Sequence, residues 1–423
     1  MVWTLGALPL ALLVLGAPIF TLLLAGGILT FILYMSVPPV ALHQVMFGGL
    51  ENYALLAIPF FIFAGELMGS AGIAERLIVW VLALIGRVPG GLGVATVGAS
   101  TLVGAISGAS VATVAAVGKV LYPGLIRDGY GPRFSSGLVS SSGAIDIVIP
   151  PSIAMILYGA SAEQSIPKLF MAGILPGLLI ALMMAAYVII AALRMGVKTS
   201  EGFDVRHFLR TSRDAAPALF MPVLILASIY LGLSSPTEAG GFACLYAMLV
   251  GRYVYRTMSW NDVFEAAIRS AMLTAQILVI VATAALFSWI LTVNGVPQAL
   301  TAALQSLRLE PWAFLMVVNV ILLIAGCFLD PTSAILVLTP LFIPIVKMVG
   351  VDPIHFGIVM TVNIAIGMFT PPFGLNIFVA RSVLGVPLET VYRGVLPFAV
   401  VQLAALLIIT YWPELSLILA RAL

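Results

Sequence analysis

The sequence predicts an all-α polytopic membrane protein made of two inverted-topology repeats, each with five crossing helices and one re-entrant hairpin. Three observations carry this reading. The first is composition: of 423 residues, 62% are apolar and only 9% charged, against about half and about 25% in soluble domains, so lipid is the main solvent. The second is an internal repeat. A shift of 221 residues lays Pro123 on Pro344, Pro132 on Pro353, Pro150 on Pro371, Pro151 on Pro372 and Pro176 on Pro397, where about one coincidence is expected by chance. The third is that two apolar runs in each half are broken in the middle by Gly, Ser, Asn and Pro. Backbone of that kind is tolerated at membrane depth only where it is buried in protein or lines a polar cavity.

The first repeat, 1–198, opens with MVWTLGALPLALLVLGAPIF, which lacks a basic n-region and a cleavage site and reads as retained membrane structure, not a signal peptide. Apolar runs follow at 2–15, 18–35 and 53–73. The run 92–126 is too long for one crossing of about 30 Å and is broken at I-S-G-A-S, so it reads as a hairpin with its tip near the midplane. The next, 134–160, carries S-S-S-G-A-I-D-I-V-I-P-P-S and reads as a crossing helix unwound at its centre, and 169–193 is uninterrupted. A polar cytoplasmic linker, 199–213, leads to the second repeat, 214–423. Its runs at 215–233, 236–255 and 266–293 precede a hairpin at 312–346 broken at C-F-L-D-P-T-S, an unwound helix at 355–380 broken at N-I-A-I-G-M-F-T-P-P-F-G, and a last crossing at 394–412. This topology puts fifteen of the nineteen Lys and Arg residues on the cytoplasmic side, leaving only Lys168, Arg308, Lys347 and Arg421 outside, as the positive-inside rule requires.

Composition also excludes functions. A net charge of +2 spread along the chain offers no basic patch for nucleic acid. Cys244 and Cys327 lie in apolar runs and three scattered histidines form no H-E-x-x-H, so neither a disulfide framework nor a zinc enzyme is expected. No nucleophile and base stand in a convincing arrangement, so an intramembrane enzyme is not expected.

Inverted repeats whose paired broken helices meet at the midplane mark a secondary transporter. One candidate constellation is the tip Ser107, Gly108 and Ser110 with Ser140, Ser142 and Gly143, where hydroxyls and freed carbonyls make an oxygen shell suited to a hard cation such as Na+. The other is Gly326, Asp330 and Thr332 with Asn363, Gly367 and Thr370. A carboxylate in mid-segment costs roughly 2.5–3.5 kcal/mol to insert, so Asp330 calls for a partner, and Na+ is the expected one. Ser141, Asp146, Pro150, Pro151, Pro371, Pro372 and Arg381 are candidates for the substrate pocket, with Asp146 also a possible cation ligand or proton site. Glu66 and Glu238 lie nearer segment ends, and Glu238 is placed to cap a helix N-terminus.

Five stretches, I-P-F-F-I-F-A-G-E-L-M (58–68), G-A-I-S-G-A-S-V-A-T-V-A-A-V-G (104–118), I-P-P-S-I-A-M-I-L-Y-G (149–159), S-P-T-E-A (235–239) and N-I-A-I-G-M-F-T-P-P-F-G-L-N-I-F-V (363–379), resemble the large membrane subunit of TRAP transporters, the tripartite ATP-independent periplasmic family. The resemblance covers nearly the whole chain. It implies an importer of organic acids, such as C4-dicarboxylates or sialic acid, in the bacterial inner membrane, driven by Na+. It also implies two partners: a periplasmic substrate-binding protein and a small four-helix membrane subunit. The fold it implies is elevator-like, with hairpins and unwound helices in a mobile transport domain interleaved with a scaffold, and with cation sites at the two constellations above. Asp146 stands where the family usually has Gly, and Arg381 where it usually has a small residue. The rival within transport is a stand-alone Na+/dicarboxylate symporter or Na+/H+ antiporter, which needs no binding protein.

Overall fold

The computed structural model describes residues 3–85, 90–197, 204–306 and 310–423. Arg87, Lys198 and Arg308 of the charge argument, and the start of the 199–213 linker, lie outside these residues. Among the described residues every regular element is helical, and seven helices are long and apolar enough to cross a membrane.

The N-terminal helix α1 (Leu8–Val14) extends a π turn at Trp3–Ala7. The helical stretch Trp3–Val14 rises about 18 Å at 1.5 Å per residue, too little for about 30 Å of hydrocarbon. The predicted crossing at 2–15 is therefore not a full span. Gly16, at φ 75°, turns the chain back so that α1 packs on α2 (Ile19–Tyr34), tied by Thr30 Oγ1 donating to Thr4 Oγ1 at 2.7 Å. After α3 (Val40–Gly48) comes α4 (Ala57–Ser70), which continues a 3-10 turn at Tyr53–Leu56.

Then α5 (Ile73–Ile85) leads to the first hairpin, α6 (Gly91–Ser107) and α7 (Ser110–Arg127). The first unwound helix is α8 (Gly131–Ser142), a 3-10 segment at Gly143–Ile147 and α9 (Ile153–Ala162), with a cis Pro150–Pro151 bond between them. The long α10 (Ile166–Met195) closes this half.

The second half contains α11 (Val205–Tyr230), α12 (Pro236–Leu249), α13 (Trp260–Val293) and α14 (Val296–Ser306). Its hairpin is α15 (Pro311–Phe328) with α16 (Pro331–Val349). Its unwound helix is α17 (Pro353–Gly367) with α18 (Leu375–Leu384), broken around a cis Pro371–Pro372 bond. Helices α19 (Leu388–Tyr411) and α20 (Glu414–Ala420) end the chain.

Two differences from the sequence reading have a physical cause. Residues 205–213, expected in the linker, are the first turns of α11. Asp204 caps that helix by accepting from the Arg206 N–H, Phe208 packs on Trp80 and Ser212 accepts from the Trp80 indole, so the frequent charges there mark one wet face of a helix rather than a loop. Helices α5 and α14, ahead of the two hairpins, were not expected, because an amphipathic helix gives no long apolar run. Glu238 behaves as expected: with Ser235 it forms a capping box on α12.

Packing groups the helices into two sets that meet where α5 packs on α6 and α13 on α16. In one, α4 packs on α12 and α13, α11 on α5 and α12, and α13 on α2 and α3. In the other, α8 packs on α19, α15 on α17, α7 on α18 and α10 on α20. Close approach in the second set rests on glycine: a Cβ on Gly137 would lie 2.1 Å from the Gly394 carbonyl oxygen, and one on Gly367 2.3 Å from the Gly326 carbonyl carbon.

Candidate functional site: two hairpin tips at one cavity

The two tips turn differently. In the first, Gly108 at φ 57° ends α6 in the left-handed region that a side chain disfavours, and extended Ala109 starts α7 without any side-chain cap. In the second, Leu329 and Asp330 are both extended and Pro331 opens α16. Asp330 is the N-cap. One of its carboxylate oxygens accepts from the Ser333 N–H at 3.1 Å and the other from the Ser333 hydroxyl.

Both tips border a cavity of about 280 Å³. Ser107, Gly108, Ser110, Asp330 and Thr332 stand on its wall, and α4 and α13 of the other helix set supply the opposite wall through Ile62, Gly65, Glu66, Leu273 and Ile277. Glu66, which the sequence left near a segment end, thus faces the cavity, and its carboxylate accepts from Arg269 Nε at 2.8 Å. Among the described residues, no lysine or arginine lines this cavity.

The remaining predicted residues lie behind the tips. Ser140 and Ser141 donate their hydroxyls to the carbonyls of Ser136 and Gly137, both at 2.8 Å, and Ser142 donates to Leu138. This back-bonding within α8 uses the hydroxyl protons and leaves oxygen lone pairs outward. Ser110 donates to the Gly143 carbonyl at 2.8 Å, tying the first tip to the unwound helix. In the second constellation Gly326 and Gly367 meet backbone to backbone. Asn363 donates to Asn319 Oδ1 and to the Val359 carbonyl, both at 2.8 Å, while its own Oδ1 is buried without a partner. Thr370 donates to the Ile366 carbonyl at 2.7 Å.

None of the seven residues expected in the substrate pocket borders the cavity. Ser141, Asp146, Pro150 and Pro151 are fully packed inside. Pro371 and Pro372 sit on a turn where the Pro372 carbonyl accepts from Tyr392, and Arg381 is exposed near the end of α18. Proline pairs and charges show where a helix breaks or ends, but not which way its neighbours open.

Sequence reasoning also missed residues. Asn376, fully buried on α18, donates to Ser110 Oγ at 2.7 Å and to the Ser140 carbonyl at 3.1 Å, joining the second repeat to the first tip. Its signal was a lone amide in the run L-N-I-F-V. Thr113, Gln402 and Asn319 are others: Thr113 contacts Asp146, Gln402 donates to the Ser141 carbonyl at 2.9 Å, and Asn319 accepts from Asn363.

A helical membrane protein whose two broken half-helix tips close on one cavity, against a separate set of helices, is a polytopic carrier. A model of the family described as "Tripartite ATP-independent periplasmic transporter, DctM component" matches residues 7–415, and the chain belongs to that family. It is 42% identical to the C4-dicarboxylate TRAP transporter large permease protein DctM of Pseudomonas aeruginosa, over 93% of this chain and 92% of the relative. It is 38% identical to the ectoine/5-hydroxyectoine TRAP transporter large permease protein UehC of Ruegeria pomeroyi, over 97% and 96%. Among solved structures, the YdaH transporter of Alcanivorax borkumensis matches with a TM-score of 0.66 at 16% identity, over 96% of this chain and 98% of that one, a likeness of fold. The chain is the large permease of a TRAP system and a multi-pass protein of the bacterial inner membrane.

Proposed function

We propose that this permease imports a small organic acid, delivered by a periplasmic binding protein, by Na+-coupled elevator movement of its hairpins and unwound helices past the other helix set. The observation that carries the reading is the shared cavity: two tips from the two halves of the chain bring the side-chain oxygens of Ser107, Ser110, Asp330 and Thr332 to one wall, and α4 and α13, which pack mainly on other helices of their own set, form the other. The first turn of α7 faces that cavity with no side-chain cap; its Ala109, Ala112 and Thr113 N–H groups are engaged within the tip, which leaves those of Ser110 and Val111 for a substrate carboxylate. The substrates named for two of the relatives, C4-dicarboxylates and ectoines, carry a carboxylate.

The residues fit Na+. It is a hard cation that takes oxygen ligands, and the orphaned Asn363 Oδ1 is an oxygen held ready without a donor. Ser107, Gly108, Ser110, Ser140, Ser142 and Gly143 would hold one ion, and Gly326, Asp330, Thr332, Asn363, Gly367 and Thr370 a second. A bound cation supplies the charge that offsets buried carboxylate and substrate.

In proteoliposomes carrying the permease and its small membrane subunit, with binding protein outside, an inward Na+ gradient should drive uptake. Equal uptake in Na+-free buffer, with or without a proton gradient, would overturn the sodium reading.

Asp330 separates charge from capping. Asn caps as well as Asp, so Asp330→Asn should keep the tip folded while shifting the Na+ dependence of uptake roughly ten- to a hundredfold higher, the size of a charge-assisted contact. Asp330→Ala loses both, including about 0.5–2 kcal/mol of capping, and uptake should nearly vanish. Unchanged Na+ dependence in Asp330→Asn would reduce Asp330 to a cap.

A further inference from the structure

Behind the first tip lies an ionisable group that the cavity does not use. Asp146 sits in the 3-10 segment of the unwound helix, fully inaccessible to solvent. One carboxylate oxygen, Oδ2, accepts from Thr113 Oγ1 at 2.6 Å and from Ser107 Oγ at 3.1 Å. The other, Oδ1, is buried with no partner. No basic side chain pairs with it among the described residues. On the helices packed around it, Lys119 and Arg127 of α7, Arg133 of α8 and Arg194 of α10 are exposed and Lys168 of α10 is half-buried, and none of them forms an ion pair with it. His355, at the start of α17, shares its Nε2 with the Thr410 carbonyl.

The surroundings are shaped to this carboxylate. A Cβ on Gly104 of α6 would lie 2.8 to 3.0 Å from the Asp146 Cα, Cβ and Cγ, so α6 can pass only as glycine. Ser107 ends α6 and Thr113 lies in the first turn of α7, so both arms of the hairpin hold the same oxygen. An ionised carboxylate in a membrane interior needs an opposite charge, and a hydroxyl pair on Oδ2 supplies none. Oδ1 is the oxygen left over for it. Asp330, by contrast, is half exposed and has both oxygens engaged by Ser333.

We propose that Asp146 is the charged ligand of the cation at the first hairpin, binding it through Oδ1, while Ser107 and Thr113 position the carboxylate through Oδ2. Each half then contributes one carboxylate, Asp146 from an unwound helix and Asp330 from a hairpin tip, and the first site is the more buried. The inference rests on the sodium reading above, but it assigns a residue that reading does not require.

The test uses the purified permease with its small membrane subunit, and reads the thermal midpoint of unfolding against NaCl at constant ionic strength with choline chloride, without substrate. Wild type should be stabilised with a saturable Na+ dependence. Asp146→Asn, of the same size, should move the half-saturating Na+ concentration up by roughly ten- to a hundredfold. Thr113→Val, which keeps the shape but removes the shorter of the two hydrogen bonds to Oδ2, should move it several-fold in the same direction, and Thr113→Ser should restore it. An unchanged half-saturation in Asp146→Asn overturns the assignment while leaving sodium coupling intact. A wild-type protein indifferent to Na+ overturns both. If Asp146→Asn fails to give a cooperative transition, the Thr113 pair decides: equal half-saturation in Thr113→Val, Thr113→Ser and wild type overturns the proposal.

Discussion

Gly367→Val will disrupt the protein more than any side-chain change at the tips. A Cβ at this position would stand 2.3 to 2.6 Å from the Gly326 carbonyl carbon, Cα and oxygen. These are backbone atoms of the hairpin arm α15, so no rotamer change can clear them. Overpacking that side chains can absorb costs about 1–3 kcal/mol. Here α15 and α17 must separate, and that contact carries the second candidate cation site. Small residues that let backbones approach are a main source of helix association in membranes, so the loss should exceed that range. The expected result is a thermal midpoint lowered by many degrees and no measurable uptake, with Gly367→Ala intermediate. Gly241→Ala is the control: nothing lies within 4 Å of a Cβ there, and alanine favours helix over glycine by about 1 kcal/mol. Its midpoint should be unchanged or raised. Equal midpoints for Gly367→Val and wild type would show that α15 and α17 do not pack this tightly in the membrane.

The same glycines show what a sequence can and cannot reveal. Gly326 and Gly367 were read as members of a cation site, since glycine in a broken apolar run marks freed backbone. That reading locates the break but not the approach of the two helices, because Gly326 and Gly367 belong to separate runs. The hairpins and unwound helices were legible for a physical reason: lipid forbids unpaired backbone, so Gly, Ser, Asn and Pro clusters at mid-run must be functional or buried. Helices α5 and α14 lacked such a signal, since one polar face interrupts hydropathy without breaking the helix. Residues 205–213 were hidden in the same way.

In the site, residue type was legible and direction was not. The serines of α8 announce oxygen, yet only the structure shows their protons spent on their own helix. From the sequence, Asp146 reads as a substrate-pocket candidate and equally as a cation ligand or proton site, because it lies within an unwound stretch. The structure puts it behind Ser107, held by Thr113 from the other arm of the hairpin. Asn376 links the repeats across 266 residues of sequence to Ser110, a separation at which no local pattern predicts contact.

The permease reconstituted alone will not concentrate free substrate. Among the described residues its cavity is lined mainly by apolar groups, with two carboxylates, Glu66 and Asp330, and no lysine or arginine on its wall. Arg269 stands nearby but is already paired with Glu66. With no side-chain cation there, the chain's own positive potential toward an organic anion is the N-terminal turn of α7, a contact worth about 0.3–1 kcal/mol at an exposed site and up to about 2 kcal/mol when partly buried, too little by itself to capture a dilute solute. Delivery by a docked binding protein removes that requirement, because a substrate released at the cavity mouth is present at an effective concentration of the order of millimolar. With an inward Na+ gradient, liposomes containing the chain alone should show uptake no faster than empty liposomes. Adding the small membrane subunit and the binding protein together should restore it, and excess substrate-free binding protein should slow it by competing for the docking face. Concentrative uptake of free substrate by the single chain would mean that the cavity captures anions unaided, and the permease would then work as a stand-alone symporter.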